Sequence, residues 1–187
     1  MITKRKAVFL DRDGTIIVDK FETHKIEDLE FVKGIESLKE LQDVGYLLIV
    51  VTNQSGIGKG HYSIEEMNKF NNHMINELNK LGIEINEIYF CPHTVKDNCN
   101  CMKPRDGMIK KAESEFNIDL KQSYLIGDQN SDIKAGIKAG LKQCYIVTTG
   151  LYPQNMSGKY EIESEIKNNT LVYDELQAIV QDILNRN

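Results

Sequence analysis

Two sets of residues in this chain could do chemistry, one soft and one hard. The soft set lies in "CPHTVKDNCNCMKP" (residues 91–104), which holds three of the chain's four cysteines. Cys91-x-His93 followed by Cys99-x-Cys101 puts four thiol or imidazole donors within eleven residues. Such donors in fourfold coordination suit Zn²⁺, and four protein ligands make a closed, structural site. A Cys99–Cys101 disulfide would strain a small ring and leave Cys91 and His93 unexplained. A redox centre would need Cys-x-x-Cys, which is absent. The hard set is Asp11, Asp13 and Asp128, in "DRDGT" and "GDQNSD". Brought to one point, these carboxylates repel unless a cation sits among them. Oxygen ligands that leave room for water and phosphate suit Mg²⁺. An aspartate can attack phosphorus to give an aspartyl-phosphate. A second carboxyl group two residues on can protonate the leaving oxygen and later take a proton from water. Thr52 can offer a hydroxyl hydrogen bond, and Lys103 a charge, to the same phosphate oxygens.

Regular elements must carry these residues. "KAVFL" (6–10), "YLLIVV" (46–51), "EIYF" (87–90), "SYLIG" (123–127) and "QCYIV" (143–147) read as buried strands. Between them, apolar residues recur at helical spacing. Ile35, Leu38, Leu41 and Val44 predict a helix that stops at Gly45. Met67, Phe70, Met74 and Leu78 follow a Ser63–Glu66 capping box. Residues 107–116, 131–139 and "DELQAIVQDILNR" predict three more helices. Residues 150–170 read as loop, and the acidic run 161–166 as a solvated face. Strand–helix alternation implies an α/β three-layer sandwich with a parallel, Rossmann-like sheet, in one domain over residues 1–187. Ligands bind outside the carboxyl ends of such strands. "DRDGT", "TNQSG", the cysteine stretch with Lys103, and "GDQNSD" follow four strands in succession, so they are expected at one edge.

These four motifs, in this order over most of the chain, resemble those of the haloacid dehalogenase superfamily of phosphatases. The resemblance implies that Asp11 is the nucleophile and Asp13 the general acid/base. It implies that Thr52 and Lys103 bind phosphate, that Asp11, the Asp13 carbonyl and Asp128 hold Mg²⁺, and that Asp132 orients them. The zinc loop, residues 91–101, resembles a branch with little or no cap domain. That branch holds the D-glycero-D-manno-heptose 1,7-bisphosphate phosphatases and the histidinol-phosphate phosphatases. "VVTNQSGIGKG" and "KPRDGM" look like the heptose enzymes; the short His93–Cys99 spacing is closer to the histidinol-phosphate enzymes. The heptose reading implies removal of the 7-phosphate. Contacts to substrate are then expected from Asp19, Lys20, Asn53, Gln54 and Ser55. Met102 and Gln129 stand where that branch usually has basic residues, and Arg105 is expected to supply the lost charge.

The whole chain bounds the rest. It has 187 residues, 27% charged and 41% apolar, as soluble domains have. Lys plus Arg is 23 and Asp plus Glu 28, a net −5, which argues against a nucleic-acid-binding face. No apolar run approaches the roughly 20 residues of a membrane span. "MITKRKAVFLDRDGT" lacks a signal peptide's apolar stretch. A cytoplasmic monomer is expected, with a small phosphorylated sugar as its partner. His24, His61 and His73 read as surface or satisfied, and Cys144 as a small core residue.

Overall fold

In the computed structural model, which describes residues 3–148 and 162–186, six strands form one parallel sheet. The strands are β1 (Ala7–Leu10), β2 (Leu47–Asn53), β3 (Glu87–Cys91), β4 (Tyr124–Gly127), β5 (Gln143–Val147) and β6 (Thr170–Tyr173). Their order is β3-β2-β1-β4-β5-β6. The chain builds outward from β1 to β3, then returns to the other side of β1 with β4. The sheet therefore reverses direction between β1 and β4, the place where open sheets of this kind bind ligands.

The inner strands β1, β2 and β4 are apolar over most of their length because both faces are covered. Along β1, Val8 and Leu10 face one core while Ala7 and Phe9 face the other. Leu48 and Val50 of β2 join the first core; Leu47, Ile49 and Val51 join the second. The period of two is intact, but each side of it meets hydrocarbon. The first core is closed by α1 (Leu38–Asp43), α3 (Ile64–Lys80) and α6 (Leu176–Asn185). The second is closed by α4 (Gly107–Phe116) and α5 (Asn130–Ala139). A single turn, α2 (Ser55–Gly58), follows β2. The architecture is thus the expected three-layer α/β sandwich.

Helix signals in the sequence act where they stand. Ser63 accepts from the Glu66 amide and Glu66 returns a bond to the Ser63 amide, closing the capping box of α3. Gly140, with φ +86°, ends α5. Three elements differ from the sequence reading. The helix expected from Ile35 opens as a 3-10 turn, Ile35–Ser37, before α1 begins. Of the loop expected over 150–170, residues 150–161 lie outside the described residues, and Thr170 begins β6, an edge strand that follows polar residues. The acidic run is only partly solvated: Glu163 and Glu165 pair with Lys134, but Ile166 is buried in the second core. Cys144 is buried there too, as a small residue against Gly136.

Ile49 sits at the centre of the sheet with no solvent exposure. Its truncation to alanine should lower unfolding free energy by about 2–5 kcal/mol. Urea denaturation checks this; a cost under about 0.5 kcal/mol, typical of surface sites, would contradict the packing described.

Candidate active site

The carboxyl ends of β1, β2 and β4 deliver Asp11, Thr52 and Asp128 to the point where the strand order reverses. The Asp11 amide donates to the Ile126 carbonyl of β4, which fixes the two strand ends side by side. Asp11, Asp128 and Asp132 each bring a carboxylate oxygen within 4.8 Å of the others. All three are buried. Gly14 makes the approach possible. Its φ is +81°, and a Cβ there would lie 2.5 Å from Asp128 Oδ2.

One cation answers the three carboxylates. Lys103 Nζ lies 2.8 Å from Asp11 Oδ1 and 2.5 Å from Asp132 Oδ1, and donates to the Val51 carbonyl at 2.8 Å. Burial alone would favour its neutral amine, but Asp11 and Asp132 outweigh that and raise its pKa. Asp132 serves two masters, since its Oδ2 accepts the Gln129 amide at the start of α5. Three carboxylates against one ammonium leave two negative charges if all are ionised. Burial, opposed by Lys103 and reinforced by Asp132, raises the Asp11 pKa. Burial, then the charges of Asp11 and Asp132, raise Asp128 further. Asp128 Oδ1 is buried without a hydrogen-bond partner. An uncompensated charge and an unpartnered oxygen both fit a divalent cation held by hard oxygen ligands.

Asp13 stands apart from this cluster. Its carboxylate pairs with Arg12 and accepts from Gln54 Nε2 at 2.9 Å. Beside it lies an open cavity of about 220 Å³, lined in part by Asp13, Asp19, Asn53, Gln54, Ser55 and Lys59. Thr52 Oγ1 accepts from Gln54 Nε2 at 2.9 Å, which leaves its hydroxyl hydrogen to donate elsewhere.

Other expected contacts are engaged differently. Asn53 exchanges two hydrogen bonds with the backbone of Lys103, so it holds the lysine segment to β2. Gln54 is 2% exposed and spends its amide on side chains of the protein. Lys20 turns away to Glu30. Arg105 is not at the carboxylates. It donates to the Cys99 carbonyl at 2.6 Å and to Asn98, which closes the loop behind it. Met102 packs into the second core, and Gln129 donates to Asp128 Oδ2 at 2.7 Å. Sequence reasoning passed over Arg12, Asn71 and Tyr62, because nothing in their spacing marks a buried polar network. His24 stacks on Tyr62 and His61 pairs with Glu22.

The soft donors also converge. Sulfur atoms of Cys91, Cys99 and Cys101 lie 3.1–3.5 Å apart, and His93 Nδ1 lies 3.6 Å from Cys91 and 3.3 Å from Cys101. No disulfide forms among them. A tetrahedron with Zn–S bonds of about 2.3 Å has edges of about 3.8 Å. The donors lie somewhat closer than that, and all four converge on one point where a Zn²⁺ could be held once they part slightly. Burial opposes ionisation of Cys99, but the Met102 amide and the neighbouring thiols bring its pKa down to about 6. The loop is tightly folded against α4: a Cβ on Gly107 would lie 2.3 Å from the Asn100 carbonyl oxygen. Protein purified without chelator should contain stoichiometric zinc. Cys99→Ser should lower the melting temperature by several degrees, as expected when about 1–3 kcal/mol is lost from a domain this size. Metal analysis that finds no zinc would overturn this account of the loop.

Comparison with known proteins agrees with this geometry. Residues 6–173 match the family model described as polynucleotide kinase 3 phosphatase. A Photorhabdus laumondii protein named D-glycero-alpha-D-manno-heptose-1,7-bisphosphate 7-phosphatase is 43% identical over 155 residues, covering 79% of this chain and 85% of its own. A Haemophilus ducreyi protein named for the beta anomer is 39% identical over 176 residues, covering 90% and 95%. The crystal structure of D,D-heptose 1,7-bisphosphate phosphatase from B. bronchiseptica, complexed with magnesium and phosphate, superposes with a TM-score of 0.84. It shares 25% identity, over 97% of this chain and 99% of that one. No described helix is long and apolar enough to cross a membrane. The chain belongs to the polynucleotide kinase 3 phosphatase family of haloacid dehalogenase-like phosphatases.

Proposed function

We propose that this chain is a Mg²⁺-dependent phosphomonoesterase that removes the 7-phosphate of a D-glycero-D-manno-heptose 1,7-bisphosphate. It acts in the cytoplasm, as a monomer, with one domain carrying the reaction. The observation that carries the reading is the buried cluster of Asp11, Asp128 and Asp132 around Lys103 where the strand order reverses, with Asp13, two residues from Asp11, lining an open cavity. The named activities of the relatives supply the substrate class.

Asp11 is the nucleophile in this reading. Its Oδ1 is held by Lys103, so Oδ2 is the atom that bonds to phosphorus while the bond to the leaving oxygen breaks. Asp13 gives a proton to that oxygen, which leaves as the sugar hydroxyl. It then takes a proton from the water that attacks the aspartyl-phosphate and frees inorganic phosphate. Thr52 and Lys103 bind the phosphate oxygens. Mg²⁺, held by Asp11, the Asp13 carbonyl and Asp128, would supply charge that stabilises the transferring phosphoryl group. Asp132 keeps Lys103 in register and caps α5. Asp19, Ser55 and Lys59 line the cavity where the sugar sits.

Histidinol phosphate is the competing substrate. Its case rests on Met102, which is buried, and on Arg105, which is committed to the zinc loop. Neither supplies a cation for a second phosphate. The two readings separate on the Mg²⁺-dependent kcat/KM for both anomers of heptose 1,7-bisphosphate and for histidinol phosphate. A preference of at least about 100-fold for a bisphosphate is expected, the scale of a few kcal/mol of differential transition-state binding. A preference for histidinol phosphate would overturn the heptose assignment and leave the phosphatase chemistry standing.

A further inference from the structure

Arg12 lies between the two aspartates of the first motif, yet it is the largest side chain with no solvent exposure. Burying a lone guanidinium costs several kcal/mol, so its partners define its purpose. Its Nε donates to Asp13 Oδ2 and its Nη2 to Asp13 Oδ1, both at 3.0 Å. This is a two-point fork that fixes the plane of the carboxylate. The remaining donors reach outward. Nη1 donates to Asn71 Oδ1 of α3 at 2.9 Å, and Nη2 to the Thr23 carbonyl at 2.6 Å. The guanidinium also lies over Phe70, 5.0 Å from the ring centre.

Gln54 doubles the restraint. Its Nε2 donates to Asp13 Oδ2 and to Thr52 Oγ1, while its Oε1 accepts from Arg12 and from the Tyr62 hydroxyl. Both donors and both lone pairs of the amide are used, so it has one stable orientation. Asp13 thus receives three directed donors, although its side chain stays 19% exposed and lines the cavity. The same guanidinium grips the segment after the first motif through Thr23, and that segment supplies Asp19, Phe21 and Glu22 to the cavity wall.

We propose that Arg12 is a positioning residue for the reaction: it holds the Asp13 carboxylate at the leaving oxygen and ties it to the cavity wall at 19–24. The proposal rests on the phosphatase reading above, in which Asp13 handles the leaving-group proton. Lysine cannot replace Arg12, because an ammonium keeps the charge but has no planar fork. The guanidinium touches neither the Asp11 cluster nor the cavity centre, so its effect on turnover must pass through Asp13.

The test compares kcat/KM on heptose 1,7-bisphosphate, whose leaving group is an alkoxide, with p-nitrophenyl phosphate, whose leaving group barely needs a proton. Arg12→Lys should lose about 10–100-fold more on the heptose ester, a part of the roughly 10²–10⁴ that general acid catalysis supplies. In the Asp13→Asn background the same change should cost less than about 3-fold, because residues that act as a unit are not additive. Asn71→Ala loosens Arg12 without touching Asp13. It should show the same ester bias at about 3–10-fold, and it carries the test if Arg12→Lys does not fold. Equal losses on the two esters, or full additivity with Asp13→Asn, would overturn the proposal while leaving the phosphatase reading intact. A wild-type protein inactive on both esters would sink the reading and the proposal together.

Discussion

Three buried carboxylates share a single ammonium at the heart of this structure, and most of the surrounding architecture keeps that arrangement from collapsing. Asp11, Asp128 and Asp132 crowd within 4.8 Å, and among the described residues Lys103 is the cation that answers them. Removing Lys103 would leave three buried carboxylates with no ammonium to answer them, which is costly. The sheet bears this cost because its two interior faces are hydrocarbon and its strand ends are locked, Asp11 to Ile126 and Asn53 to Lys103. Stability is drawn from the two cores and spent at the edge where the sheet reverses. The excess negative charge is then a property of the site, and it favours a divalent cation beside an incoming phosphate.

The zinc loop makes the arrangement reachable. Lys103 follows no strand closely; it comes twelve residues after the end of β3, beyond a stretch with little apolar content. Such a stretch cannot hold a lysine still by hydrophobic packing alone. Four metal donors, the Arg105 bonds to Cys99 and Asn98, and the close fit of Gly107 supply the missing rigidity. Met102 anchors one side of the lysine in the second core, and Asn53 grips its backbone. The two donor sets have separate duties: the soft one shapes the loop, and the hard one gathers carboxylates at the reversal of the strand order.

Much of this was legible in the sequence because the signals were periodic or chemically sharp. Continuous apolar runs marked five of the six strands, and the two-faced burial of β1 and β2 explains why the runs were continuous. The cysteine spacing named the four soft donors; of the hard set, Asp11 and Asp128 meet as expected, but Asp132 joins them in place of the Asp13 carboxylate. What stayed hidden was set by tertiary context. β6 is a partly exposed edge strand behind a polar stretch, so it lacks the continuous burial that marked β1 and β4. Asn53 and Gln54 line the cavity as expected of ligands, but the amide of Gln54 is fully used by Arg12, Asp13, Thr52 and Tyr62, while Asn53 also holds the backbone of Lys103. Arg105 was expected to replace a lost charge, and its guanidinium bonds to the Cys99 carbonyl and to Asn98 in the loop. Arg12 was invisible for another reason. A charged residue inside a turn reads as solvated, and only α3 and the Thr23 carbonyl folding over it bury it.

The central claim is that Asp11 carries the phosphoryl group. It is tested most directly by quenching the enzyme in acid during turnover and reducing with borohydride, which converts an acyl phosphate to an alcohol. Peptide mapping by mass should find homoserine in place of Asp11, in amounts that require both substrate and Mg²⁺. Homoserine at another position, or none while phosphate is being released, would contradict the account.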